Sequence, residues 1–232
     1  MANFVSTHQS ASSSAIATLL KSVYLQMAAA LSVTGIVAYF LSQSPAFWQT
    51  LSTNPSLIWI TLIAQFGLVI WLSARIYRMS MGTATVLFIL YSVLMGVTMS
   101  SIFMVYTMSS IASTFFITAG TFLAMSIIGF VTRLDLSRIG SILLMALIGL
   151  IIASVVNIFL HSETLYWIVS FAGVLIFVGL TAYDTQKIKE MVANYGVADD
   201  MGHKLALFGA LTLYMDFVNL FLHLLRILGN RD

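Results

Sequence analysis

The chain has no cysteine. That excludes disulfides and thiolate metal sites, and it implies nothing about compartment. Charge is nearly as scarce. Only 8% of the 232 residues are Asp, Glu, Lys or Arg, against about 25% in a soluble domain. So few charges cannot cover a water-facing surface, and 60% of the residues are hydrophobic. The composition therefore points to an integral membrane protein. A net charge of +2 is too small to suggest nucleic acid as a partner. Residues 1–20 hold no Lys or Arg, and the apolar run after Lys21 is too long for a signal core. A polar N-terminal tail over 1–20 is expected, and no cleavable signal peptide.

Long uncharged runs dominate what remains. Residues 22–74 and 79–132 contain no charged side chain, and each run can hold two spans of about 20 residues and a turn. Both prolines, Pro45 and Pro55, fall inside "SQSPAFWQTLSTNPS". A loop is expected there, because proline breaks the hydrogen-bond ladder of a lipid-facing helix. Runs such as "GSILLMALIGLIIASVVNIFL" are continuously apolar, which excludes the alternation of barrel strands. The expected fold is an all-α, single membrane domain of seven helices, at 22–42, 56–75, 83–105, 110–132, 139–160, 165–188 and 205–228. Eight of the ten Lys and Arg (Lys21, Arg75, Arg78, Arg133, Arg138, Lys187, Lys189 and Lys204) then share one face, with Arg226 and Arg231 on the other. The bias predicts a cytoplasmic N-terminus and an outer C-terminus. A short or re-entrant last helix would return the C-terminus to the cytoplasm.

Charges inside spans are costly, roughly 2.5–3.5 kcal/mol at a helix centre, so each is a functional candidate. Asp216 sits eleven residues past Leu205, about 16 Å along the helix. Thr212, Asp216, Asn219, His223 and Arg226 are spaced +4, +3, +4 and +3, so they form one stripe on an otherwise apolar helix. Such a stripe faces protein or water. Its plain reading is an interhelical hydrogen-bonding seam, which suits Asn219 and His223 better than a carboxylate. Asp184 lies near the cytoplasmic end of the sixth helix, with Thr181 one turn before it. By itself it reads as an interface acid beside Lys187 at i+3. The seventh helix starts on that same face, so Asp184 and Asp216 approach from adjacent antiparallel helices. Two neighbouring carboxylates cannot both stay ionised cheaply, so they titrate as one unit. Ionised, they form a weak site for Ca²⁺, which takes six to eight oxygens. Ser154, Asn157 and His161 stripe the fifth helix as packing glue. Arg75 and Arg78 end the second helix, as the positive-inside signal or as a partner of Asp184. Asp199, Asp200 and His203 lack the spacing of a calcium-binding loop and read as solvated.

Other chemistries fit less well. An intramembrane aspartyl protease would share "AYD" at 182–184, but Leu213–Tyr214–Met215–Asp216 replaces the Gly-x-Gly-Asp of such enzymes, and no proline follows Pro55. A retinal protein needs a lysine in the last helix, and residues 205–232 contain none. A zinc lipid hydrolase would draw on His161 and His223, which lie near the face opposite Asp184. A proton-coupled transporter or a non-conducting membrane regulator stays open.

"LTAYDTQKIKE" (180–190) followed by "ALTLYMDFVNLFLHLLRILG" (210–229) resembles the Bax inhibitor-1, or transmembrane Bax inhibitor motif, family. "LLKSVYLQMAAALSVTGIVAYFL" (19–41), "VLMGVTMSSIF" (93–103) and "NIF" (157–159) are similar to its first, third and fifth helices. The compact form resembles the bacterial members. The resemblance implies a seven-helix bundle with the last helix central, and a pH-sensitive Ca²⁺ leak, not an enzyme, in a bacterial inner membrane. It also implies an aspartate pair at Asp184 and Asp216 as pH sensor and an arginine latch at Arg75 or Arg78. Gln65, in "LIAQFGLVIW", stands where bacterial relatives can carry glutamate. An amide there can coordinate a cation but holds no charge. Thr181, Thr212, Asn219, His223, Asn157 and Gln65 are the expected lining or supporting groups. No cofactor is expected. Membrane lipid, Ca²⁺ and H⁺ are the expected partners, in a monomer, with protein partners left open.

Overall fold

The computed structural model describes residues 2–195 and 200–231, with side chains for 16–193 and 202–231. Asp199 and the side chain of Asp200, read above as solvated, lie outside the described residues. The described helices are α1 (Ala2–Ser42), α2 (Pro45–Thr53), α3 (Ser56–Arg75), α4 (Met81–Met99), α5 (Ile102–Val105), α6 (Met108–Val131), α7 (Ser137–Leu160), α8 (Glu163–Tyr195) and α9 (Asp200–Leu228). Among the described residues seven helical segments are long and apolar enough to cross a membrane, one of them running from Met81 to Val105. The protein is an all-α membrane bundle.

Local chemistry sets the helix starts. Ser44, Ser80 and Thr107 accept hydrogen bonds from the backbone N–H groups of Phe47, Thr83 and Ser110, capping α2, α4 and α6. Such caps satisfy donors that the first turn leaves free. α2 occupies part of the proline-bounded stretch expected as loop. Pro45 begins that helix, where its missing N–H costs nothing and its fixed φ is already helical. The backbone of the expected 1–20 tail is helical from Ala2, continuous with the first span.

Contacts cluster into two compact units: Met1–Val105 with Met191–Tyr214, and Tyr106–Glu190 with Met215–Asp232. In the first, α4 packs along α1 and α3. Gly96 on α4 permits close approach, since a Cβ there would meet the Val37 side chain and the Thr34 carbonyl. The Thr34 hydroxyl donates to the Ser92 carbonyl at 2.9 Å, so the Tyr214 hydroxyl at 2.6 Å donates to Thr34. Tyr214 is fully buried, with Phe88 and Tyr91 edge-on at 5.7 and 5.9 Å. Edge-to-face contact of this kind adds to simple burial.

The second unit is built from α6, α7, α8 and the later part of α9. Leu150, Val169, Ile176, Phe177, Leu180 and Leu220 form its core, and Phe217 of α9 lies edge-on to Phe115 and Phe122 of α6. Gly129 of α6 faces the Ala182 backbone of α8, with no room for a Cβ. Small residues let membrane helices approach this closely. The segment after α9 is tied down. Thr107 N–H donates to the Asn230 carbonyl at 3.2 Å, and Asn230 N–H to Ser110 Oγ at 3.0 Å. The Tyr106 hydroxyl, hydrogen-bonded to Arg231, and then Tyr166 hold the Arg231 guanidinium above its ordinary range.

Candidate functional site

The second unit brings Asp184 and Asp216 together. Asp184 is on α8, half-buried; Asp216 is on α9 and only 5% exposed. Their side chains lie within hydrogen-bonding reach of one another. Two carboxyl groups can hydrogen-bond only while one carries a proton, because an ionised carboxylate accepts and cannot donate. Asp216 Oδ2 is buried, and no N–H or hydroxyl of the described residues donates to it. Lys187 acts on Asp184 through its charge, and its ammonium lies over the Tyr183 ring at 5.7 Å.

The supporting groups divide by where their hydrogen bonds go. Thr181 donates to the Phe177 carbonyl at 2.7 Å, and Thr185 to the Thr181 carbonyl at 2.8 Å. Thr212 donates to the Phe208 carbonyl at 3.0 Å, and Asn219 to the Met215 carbonyl at 2.8 Å. The bonds of Thr181, Thr212 and Asn219 stay within one helix, so these three are not an interhelical seam, whereas the Thr185 hydroxyl also lies 3.4 Å from Ser126 Oγ of α6. Their oxygens keep lone pairs for a cation or water. His223 is 8% exposed and stacks on Phe177, with ring centroids 5.7 Å apart. Its ring fills the space that a Cβ at Gly173 would need, and its Nδ1 has no protein partner. Among the described residues no group of three His, Cys, Asp or Glu gathers. A Ca²⁺ held at the pair would take its other oxygens from neutral groups and water.

Other expected residues lie elsewhere. Gln65 is in the first unit, where its amide nitrogen donates to the Leu94 carbonyl and to the Thr98 hydroxyl of α4. Arg75 and Arg78 are exposed at the end of α3 in the first unit, while both aspartates belong to the second. Asn157 closes the α7–α8 turn, its oxygen accepting from Ser162 N–H at 3.0 Å. His161, at φ 50°, caps α7 in the left-handed region. Ser154 bonds its own helix at Leu150. The fifth-span stripe is therefore capping and intrahelical bonding, not glue between helices.

Gln186 escaped the sequence reading, and Lys189 entered it only as a cytoplasmic-face charge. Gln186 is buried and clamps the α6–α7 connection, donating to the Leu134 carbonyl at 2.8 Å and accepting from Leu136 N–H at 2.9 Å. Lys189 reaches the Phe130 carbonyl at 2.7 Å, near the end of α6, where a cation suits the helix dipole. In the same connection Ser137 hydrogen-bonds Asp135 and holds its carboxyl below the usual range. The only signal for Gln186 was its place two residues after Asp184, and for Lys189 it was its charge.

Comparison with known proteins places this arrangement in a wider set. The family described as inhibitor of apoptosis-promoting Bax1 matches residues 16–232. The inner membrane protein YbhL of Escherichia coli strain K12 is 52% identical over 215 residues, 92% of each chain. A protein of Borreliella burgdorferi is 45% identical over 212 residues, 91% of each chain. RP147 of Rickettsia prowazekii is 44% identical over 210 residues, 90% of this chain and 88% of its own.

Proposed function

Because this chain belongs to the Bax inhibitor-1 family of membrane proteins, a channel or transporter type, we propose that it is a pH-sensitive calcium leak. The observation that supports this most directly is the meeting of Asp184 and Asp216 inside two spanning helices. With one proton between them, the carboxyls tie α8 to α9. A change in protonation turns that bond into repulsion or removes the pair's remaining negative charge, so the contact between the helices depends on pH. The resemblance adds an arginine latch, with Arg75 favoured over Arg78 as its guanidinium. A released pair offers carboxylate oxygens to Ca²⁺, and Thr181 and Asn219 add neutral ones. Among the described residues no third acid gathers with the pair, and a site of two acids binds weakly, which suits passage better than storage. Gln65 lowers the charge of the pathway relative to a glutamate.

Calcium flux into proteoliposomes, measured against pH, tests this reading. An asparagine donates to a carboxylate at every pH, so Asp184→Asn and Asp216→Asn are each expected to flatten the pH profile. Arg75→Gln is expected to raise basal flux. Wild-type flux and pH profile retained in both aspartate variants would discard the reading. Proton flux without calcium flux would favour the proton-coupled transporter instead.

A further inference from the structure

A cavity of about 670 Å³ opens where α7 ends, α8 begins and α9 ends. It belongs wholly to the second unit and lies at the opposite end of α8 from Lys187 and Lys189. Arg226, Arg231 and Glu163 line it, so among the described lining residues two arginines face one acid. Both guanidiniums are held on the same ring. Arg226 lies over Tyr166 at 5.8 Å and Arg231 over it at 5.5 Å. Arg231 also donates to the Tyr166 hydroxyl at 2.8 Å and lies over Tyr106 at 5.9 Å. The backbone bonds of Asn230 to Thr107 and Ser110 fix the segment that bears Arg231.

A guanidinium has five N–H donors, so Arg231 keeps donors beyond those it gives the tyrosine hydroxyls, and its planar fork and that of Arg226 match the oxygens of a phosphate. Two like charges anchored on one ring repel each other unless an anion lies between them. The depth of the cavity says which anion is at hand. It sits at the ends of three spans, where the headgroups of a bilayer lie, and Trp167 in its lining is 39% exposed. Tryptophan and tyrosine favour that level because one part of each ring is apolar and the other can bond water or headgroups. We propose that this cavity binds the phosphate of a membrane phospholipid headgroup, with Arg226 and Arg231 as its two clamps. The lipid would join the end of α9 to the α7–α8 turn, at the face opposite the aspartate pair.

Trp167 supplies the probe. In the full chain carrying Trp48→Phe, Trp59→Phe and Trp71→Phe, Trp167 is the only tryptophan left. The detergent-purified protein is titrated with dihexanoyl phosphatidylethanolamine, with the matching dihexanoyl glycerol and with inorganic phosphate. A saturable change in Trp167 emission is expected with the phospholipid alone. Arg226→Gln and Arg231→Gln should each weaken it about tenfold, the loss of one charge-assisted contact, while Arg138→Gln on the other face leaves it unchanged. An equal response to the uncharged glyceride, or no response to the phospholipid, overturns the proposal without any arginine variant. A response to inorganic phosphate as strong as to the phospholipid overturns the lipid assignment. Unaltered affinity in a folded Arg226→Gln/Arg231→Gln protein removes the arginines' role.

Discussion

Gln186 is a neutral side chain in a stretch whose neighbours are acids and lysines, yet its amide satisfies two backbone groups of the α6–α7 connection. Gln186→Ala leaves the Leu134 carbonyl and the Leu136 N–H to find water. The expected cost is about 1–2 kcal/mol, read as a lower midpoint in thermal unfolding of the detergent-solubilised protein. Asp184 and Asp216 were legible from sequence because an acid inside an apolar run is rare and costly. Gln186 was not legible, since an amide at a helix end is unremarkable until its partners are known. The threonines and Asn219 show the opposite error. Their helical spacing was visible, but a short polar side chain can bond its own helix one turn back, and the sequence does not reveal which rotamer it takes.

At the scale of elements, α7 and α9 are the two extremes. The most apolar stretch of α7 is 6% buried and that of α9 is 72% buried. A helix surrounded by protein can hold Asp216, Asn219 and His223, whereas a helix facing lipid cannot. The consequence is an asymmetry in tolerance. Leu220→Ala, in the core of the second unit, is expected to cost roughly 2–5 kcal/mol. Ile148→Ala, at a site 60% exposed on α7, should change stability by less than about 0.5 kcal/mol. Thermal unfolding of the two variants side by side checks the contrast. Charge scarcity and run length made the spans legible, but α2 was hidden. Proline was read as a breaker, and Pro45 instead begins a helix.

For the whole molecule, the uneven distribution of Lys and Arg predicts that the α6–α7 connection faces the cytoplasm and the α7–α8 turn faces outward. Reporter fusions or cysteine labelling at residues 135 and 162 should show opposite sidedness. Labelling of both from one side would contradict the predicted sidedness, and exchanged sidedness would move Asp184 to the outer end of its helix. Composition made the membrane class visible at once, but the division into two units was not, because it depends on which helix faces meet. Tyr214 of α9 is buried in the first unit, while Leu220 of the same helix is in the core of the second. α9 follows every other span in the order of synthesis. Neither unit has its full core until the ribosome has delivered that helix, so the earlier spans must wait in the bilayer with their polar and small-residue faces unfilled. Assembly is therefore expected to be completed only with α9, and a chain stalled before it is expected to be degraded faster than the full chain.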